Sequence, residues 1–224
     1  MILLGKLQFF KGTKMQDQII NYIRRNRVST TEVADCLNKS GSLPGIYALN
    51  RGHFCVGTVK WVYGWKESNW PIHEQIQDVT EGSIVIIEDL ECNNRALIGD
   101  IVSKYLILYR QCLAVVVDGT VRDAPRLLKE DWPIWCRGVN PVGCFNYQPD
   151  SKPSREIIDA KVQRFDGAIA ICDDCGVVVI EKLHQNQEML ERLEWIEEQE
   201  DTWFDCIDRR KWTTFDTICL KKYQ

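Results

Sequence analysis

Residues 114–123 read AVVVDGTVRD. Ala114 to Val117, with Val121, make a short continuous apolar run bounded by turn-forming residues. That is the pattern of a buried strand rather than of a half-exposed one, whose apolar residues alternate. The run ends in Asp118, Gly119, Arg122 and Asp123. Charged groups at the end of a buried strand stand at the rim of a sheet, where α/β proteins bind ligands. Arginine carries a planar fork of donors suited to a carboxylate or phosphate. Aspartate is a hard oxygen ligand suited to a magnesium-type ion, often acting through water. The plain alternative is a salt bridge that closes the loop.

Outward from this strand, helix and strand patterns alternate. SIVIIEDL before it and WPIWCRGV after it read as further buried strands, and FDGAIAICDDCGVVVIEK reads as two strands joined at a turn. HFCVGTVKWVY (53–63) alternates enough for another strand. Met15 to Arg27 places Ile19, Ile20 and Ile23 at helical spacing. In VSTTEVADCL, Ser29 and Glu32 form a capping-box signature ahead of Val33 and Leu37. WPIHEQIQDV opens on Pro71, which suits a first helical turn. APRLLKE is a short helix, and RALIGDIVSKYLILYRQC is a loop entering a helix near Gly99. Residues 185–201 form an acidic amphipathic helix with Met189, Leu193 and Ile196 on one packing stripe. The class is α/β. We divide the chain into an arm at 1–14, a main domain at 15–184, and a C-terminal helix and tail at 185–224.

The 224 residues are enough to bury one substantial core. A formal net charge of −4 argues against a nucleic-acid surface, whose footprint is basic. MILLGKLQFF lacks the longer apolar region and cleavage site of a signal peptide. No stretch approaches the ~18–20 apolar residues of a membrane span, so the expected compartment is the cytoplasm. Of ten cysteines only Cys172 and Cys175 form a C-x-x-C, and nothing completes a zinc site. They read as reduced thiols packed as small hydrophobes, with a redox pair as the alternative. His53, His73 and His184 form no ligand pair and read as structural or surface residues.

A second group precedes the strand: Arg95, Gly99 and Asp100 in RALIGD. Gly99 lets backbone approach a ligand, and the free N–H groups of the following helical turn attract an anion. Together the segments VSTTEVADCL, GSIVIIEDL, RALIGDIV, AVVVDGTVRD, WPIWCRGVNP and ICDDCGVVVI resemble the successive signatures of the RraA-like family. The resemblance runs from about Met15 to Glu181. DGTVRD followed by CRGVNP is its most specific part. The family includes divalent-metal-dependent class II pyruvate aldolases acting on 4-hydroxy-4-methyl-2-oxoglutarate and 4-carboxy-4-hydroxy-2-oxoadipate. It also includes the regulator of ribonuclease activity A.

The resemblance implies a layered α/β/β sandwich of the swivelling-domain type. It implies homotrimers, or hexamers of two trimers, with the site between neighbouring subunits. By similarity, Arg122 binds the pyruvate part of a small 2-oxo acid and Asp123 coordinates the metal, Mg²⁺ or Mn²⁺, partly through water. Asp100 helps hold that water shell. The backbone amides after Gly99, at Asp100, Ile101 and Val102, receive the substrate carboxylate. The implied activity is retro-aldol cleavage of a 4-hydroxy-2-oxo acid to pyruvate, with oxaloacetate decarboxylation as a related reaction. Alternatives are a non-catalytic binding or regulatory protein, and an enzyme of this scaffold acting on a carbohydrate-pathway substrate.

Three departures bear on this. Ile101 to Val121 is twenty-one residues, one more than the family aldolases usually have. An extra helical residue turns Asp100 by ~100°, unless a bulge absorbs it. Leu90 to Asn94 stands where a Gly-rich turn is usual, and Cys175 stands where an acid is common.

Overall fold

The structure, a computed structural model, describes residues 14–224; the arm read at 1–14 lies outside the described residues except for Lys14. Two helices open it: α1 (Lys14–Asn26) and α2 (Thr30–Cys36). The capping box at Ser29 and Glu32 is formed, each side chain bonding the other's backbone N–H. This satisfies two helix-end donors reciprocally and contributes about 1 kcal/mol.

Eight strands follow among the described residues: β1 (Tyr47–Ala48), β2 (Cys55–Trp65), β3 (Ile84–Leu90), β4 (Ala96–Ile98), β5 (Ala114–Val121), β6 (Ile134–Val139), β7 (Ile169–Asp173) and β8 (Gly176–Ile180). Their order is β1-β6-β5-β3-β2-β7-β8, and β4 pairs with the end of β5. The central strands β2, β3, β5 and β6 run parallel, and β7 and β8 form an antiparallel hairpin against β2. Residues 42–48 almost close the sheet into a barrel. Ser42 bridges Val178 at one edge, and β1 pairs with β6 at the other.

Alternation along each strand sorts its side chains between two faces. Ile84 and Ile86 of β3, with Ala114 and Val116 of β5, point into the barrel, where they meet Trp61, Trp135 and Val179. Val85, Ile87, Val115 and Val117 point outward to a second core. That core is covered by α3 (Trp70–Gln75), α4 (Asp100–Lys104) and α5 (Ala124–Lys129). A third core lies between the hairpin and α1, α2 and the long α7 (Gln187–Asp208). There Met189, Leu193 and Ile196 meet Ile19, Ile23 and Val33, so the expected stripe is a packing face. Each such fully buried aliphatic contributes ~1.5–3 kcal/mol.

Four elements differ from the sequence reading, the first being β1, which that reading did not contain and which pairs with β6. The loop expected before Gly99 contains β4, three residues whose strand pairing comes from β5. Helix α6 (Arg155–Phe165) has no counterpart in that reading, because only Phe165 of it is buried. It is held by Phe165 in the barrel core and by the Lys161–Glu88 and Arg164–Glu181 ion pairs. Helix α7 continues seven residues past the expected end at Asp201.

All ten cysteines are free thiols, seven of them buried. No helix among the described residues is long and apolar enough to cross a membrane.

Candidate functional site

Three backbone events build the rim where β4 and β5 end. The N–H of Arg122 donates to the carbonyl of Ile98 at 2.9 Å, which ties the exit of β5 to the exit of β4. Asp123 then turns the chain with φ 60°, a left-handed conformation that aspartate tolerates better than most residues. It is the N-cap of α5, and its carbonyl accepts from Arg126 and Leu127. Its side chain does not cap that helix. Oδ2 instead accepts the backbone N–H of Asp100, the first residue of α4, at 3.3 Å. The carboxylate therefore faces the neighbouring helix start, where negative charge is favoured.

Gly99 makes this approach possible. A Cβ there would collide with Asp123 Oδ2 and lie 2.9 Å from Arg122 Cγ. Its φ of −142° is ordinary extended backbone, so space and not conformation demands glycine. Asp100, Ile101 and Val102 form the first turn of α4, where helix N–H groups have no acceptor within the helix. Ile101 is 75% exposed and Val102 is buried, so only Ile101 presents its side chain to solvent at this turn.

The charges divide into pairs that sequence reasoning did not assign. Asp118 is bound by Arg137, not by Arg122. Asp100 is bound by Arg126, one turn into α5. The Arg126 guanidinium holds the Asp100 carboxyl below the usual carboxylate range. Arg122 Nε stands 3.6 Å from Asp123 Oδ2, with both side chains nearly half exposed. Such a pair contributes only ~0–1 kcal/mol. A closing salt bridge therefore explains little of why Arg122 is here, and its fork stays open to a ligand.

Beneath Arg122 runs the strap 142–145. The N–H of Ala96 donates to Val142 O at 2.8 Å, and Cys144 N–H donates to Ala96 O at 3.0 Å. A Cβ on Gly143 would sit 2.5 Å from Arg122 Nη1, so the guanidinium lies on bare backbone. Arg95 props the strap from below. It donates to the Gly143 carbonyl at 3.3 Å, pairs with Glu67 at 2.9 Å and lies 4.5 Å over the Phe145 ring. Arg95 thus serves the rim as a brace. Arg126 and Gly143 were missed from sequence. Arg126 lay in a segment read only as a helix, and Gly143 carried no signal beyond following CRGVNP.

Asp100 stands beside Arg126 and Asp123, and the helix that follows it is irregular. Tyr105–Tyr109 continues α4 as a π-helical turn, closed by Arg110 N–H on Tyr105 O at 2.9 Å. A π-turn is how a helix absorbs one inserted residue. The turn at 91–94 also survives without glycine, since Glu91, Asn93 and Asn94 adopt positive φ in its place. At the hairpin, Cys175 N–H donates to Asp173 Oδ1 at 2.8 Å, so the turn is closed without an acid at 175.

Among the described residues no group of three or more His, Cys, Asp or Glu side chains could hold a metal ion by itself. The rim offers the two carboxylates of Asp100 and Asp123. That hard, sparse donor set fits an ion of the Mg²⁺ type, which keeps several waters and takes one or two carboxylates. It does not fit zinc, which takes three or four protein ligands. A cavity of about 450 Å³ lined by Glu32, Glu197, Glu200 and Phe204, and one of about 330 Å³ lined by Arg164 and Lys182, include none of the rim residues.

Residues 30–179 match a family model described as RraA-like: Aldolase/RraA. The fold is similar to an uncharacterized protein from Pseudomonas syringae pv. tomato str. DC3000, with a TM-score of 0.68 and 20% identity over 93% of this chain and 98% of that one. It is also similar to Streptomyces coelicolor RraAS2, described as an unusual member of the RNase ES inhibitor RraA protein family. That match has a TM-score of 0.64 and 20% identity over 86% of this chain and 98% of that one. The RNA-processing inhibitor RraA from Thermus thermophilis matches with a TM-score of 0.52 and 18% identity over 67% and 91% of the two chains.

Proposed function

From the premise that this chain belongs to the RraA-like family, which includes both aldolases and non-catalytic regulators, we propose that it is a divalent-metal-dependent lyase cleaving a 4-hydroxy-2-oxo acid to pyruvate. The observation that carries the reading is the side chain of Asp123, turned away from its own helix to the Gly99–Asp100 backbone beside the open fork of Arg122. A purely structural N-cap would bond its own helix.

In this reading Asp123 holds the ion, Mg²⁺ or Mn²⁺, directly or through water, and Asp100 steadies the water around it. When bound, the ion supplies Lewis acidity at the 2-oxo-acid group. The first-turn amides at Asp100, Ile101 and Val102 receive the substrate carboxylate. Arg122 grips the pyruvate part with its fork. Cleavage of the C3–C4 bond leaves negative charge on the pyruvate fragment, and Arg122 is a preorganised positive donor where that charge develops. The C4 hydroxyl must lose a proton. A water held on Asp100, kept ionised by Arg126, takes it. Proton return to C3 completes pyruvate, and the same charge stabilisation serves decarboxylation of oxaloacetate.

The test is pyruvate release, coupled to a hydride-transfer readout, over a panel of 4-hydroxy-2-oxo acids and oxaloacetate with and without Mg²⁺. Metal-dependent release from at least one member is expected. No release from any, by folded protein, supports the second reading, a non-catalytic regulator. That reading is favoured by the likeness to RraA proteins described as inhibitors of RNA processing. The cytoplasm and a homotrimeric or hexameric state belong to both readings.

A further inference from the structure

Beyond α7 the charge of the chain reverses. Residues 187–208 carry nine acids and one base, whereas 209–224, RRKWTTFDTICLKKYQ, carry five bases and one acid in a chain whose formal net charge is −4. This basic end is packed in place. Trp212 N–H donates to Cys206 O and Thr217 N–H to Thr213 O, both at 3.0 Å. Trp203 Nε1 donates to the Tyr223 hydroxyl at 3.0 Å. Phe215–Cys219 forms a π-helical turn, closed by Leu220 N–H on Phe215 O at 2.9 Å. Thr217 is fully buried beneath the turn, while Phe215, Ile218 and Leu220 project to solvent, 61%, 44% and 50% exposed.

Basic groups stand directly beside these apolar ones. Lys222 Nζ reaches Asp216 Oδ1, inside the turn, at 2.6 Å, and Arg209 and Arg210 share Asp205. Lys211 and Lys221 make no ion pair among the described residues. Both adopt positive φ, 56° and 46°. Glycine or asparagine suits such backbone better, so the side chain and not the turn accounts for lysine at both positions.

We propose that residues 209–224 are a docking surface for an anionic phospholipid membrane. Phe215, Ile218 and Leu220 enter the boundary between headgroups and acyl chains, and Lys211, Lys221 and Lys222 meet the lipid phosphates and carboxylates. Charge and apolarity together select this occupant, because interfacial binding adds buried apolar area to attraction by anionic lipid. A single-stranded nucleic acid needs free aromatic faces to stack on. Here Trp212 is covered by the Arg210 guanidinium at 5.3 Å, Tyr223 is tied to Trp203, and Ile218 and Leu220 have no π-face. A second copy related by a two-fold axis sets lysine against lysine, which is repulsive. The surface does not rest on the proposed function.

The experiment floats the full chain with vesicles of phosphatidylcholine alone and of equal parts phosphatidylcholine and phosphatidylserine. Binding to the mixed vesicles only, weakening as salt rises, is expected. Phe215→Ser combined with Leu220→Ser should weaken it at least about tenfold, since two apolar side chains are lost from the interface. Lys211→Glu combined with Lys221→Glu should weaken it at least about tenfold as well. All four positions are exposed, so the thermal midpoint should hold. A polarity-sensitive dye on the exposed Cys219, in a Cys175→Ser chain, reads the surface with its apolar and basic side chains intact, and its emission should shift to the blue on mixed vesicles. No binding to mixed vesicles, binding that both double variants leave unchanged, or a dye that stays in water overturns the proposal. Capture of single-stranded RNA, or self-association lost in the variants, in place of vesicle binding overturns it equally and reassigns the surface.

Discussion

At the scale of single residues, the rim rests on groups whose substitution separates binding from folding. Arg122→Lys keeps the charge and loses the fork. If Arg122 only pairs with Asp123 across 3.6 Å, the change costs ~0–1 kcal/mol of stability and nothing else. If it grips a carboxylate by two parallel bonds, oxalate affinity with Mg²⁺ falls about 10- to 150-fold, the equivalent of ~1.5–3 kcal/mol. Equal oxalate affinities by titration calorimetry would sink the substrate role. Asp123→Asn is the matching test of the metal, because Asn also tolerates the left-handed φ of 60°. Mg²⁺ binding should be lost with the thermal midpoint within a few degrees, about 1 kcal/mol in a chain of this size. Unchanged Mg²⁺ binding would refute the ligand role. Arg126 holds the Asp100 carboxyl low. A lowered folded pKa adds stability above the unfolded value, and that stability is lost as pH falls through the folded value. Arg126→Ala should therefore raise the Asp100 titration midpoint, followed by NMR, towards the ordinary carboxylate value; a midpoint that does not move would deny the pair.

At the scale of elements, the informative ones are those that no local pattern specifies. The π-turn at Tyr105–Tyr109 lies within the twenty-one residues between Asp100 and Arg122, and a π-turn carries one residue more than an α-helical turn would. Deleting Leu108, which is 54% exposed, should convert the turn to α-helix and leave Asp100 beside Arg126 and Asp123. The expected result is a thermal midpoint within about 4 °C of wild type, ~1 kcal/mol, with oxalate binding retained. Collapse of the fold would mean that the π-turn is built into the packing around Leu106 and is not a tolerated insertion. Strand β4 was unreadable because three residues carry no period, and its hydrogen bonds are supplied by β5 and by the strap. Helix α6 was unreadable for a related reason: its only buried residue is Phe165, and the rest of its hold comes from half-buried Ile158 and from the Lys161–Glu88 and Arg164–Glu181 ion pairs.

At the scale of the whole molecule, the rim is an open edge of a single chain, with exposed Ile101 on the first turn of α4, Val139 beside Val121 at the end of β6, and Val142 on the strap. Apolar side chains gathered at such an edge mark an interaction surface. We expect sedimentation velocity at micromolar concentration to give an oligomer in multiples of three, and a monomer there would remove both the assembly and a site shared between subunits. The sequence by itself determined what depends on neighbours along the chain. The buried runs AVVV and IVII, the capping box at Ser29, and the helical spacing of Ile19 and Ile23 are local periodicities, and they fix elements and class. It also marked Gly99, Asp100, Arg122 and Asp123 as one group through likeness to a family. Only the tertiary structure decided their partners. Which guanidinium meets Asp100, which carboxylate meets Arg137, and why position 143 must be glycine depend on strands β4 and β5 ending side by side. Those contacts join residues up to 48 positions apart, between Arg95 and Gly143, and side chains so far apart in the chain are brought within reach only when the parallel sheet fixes their register.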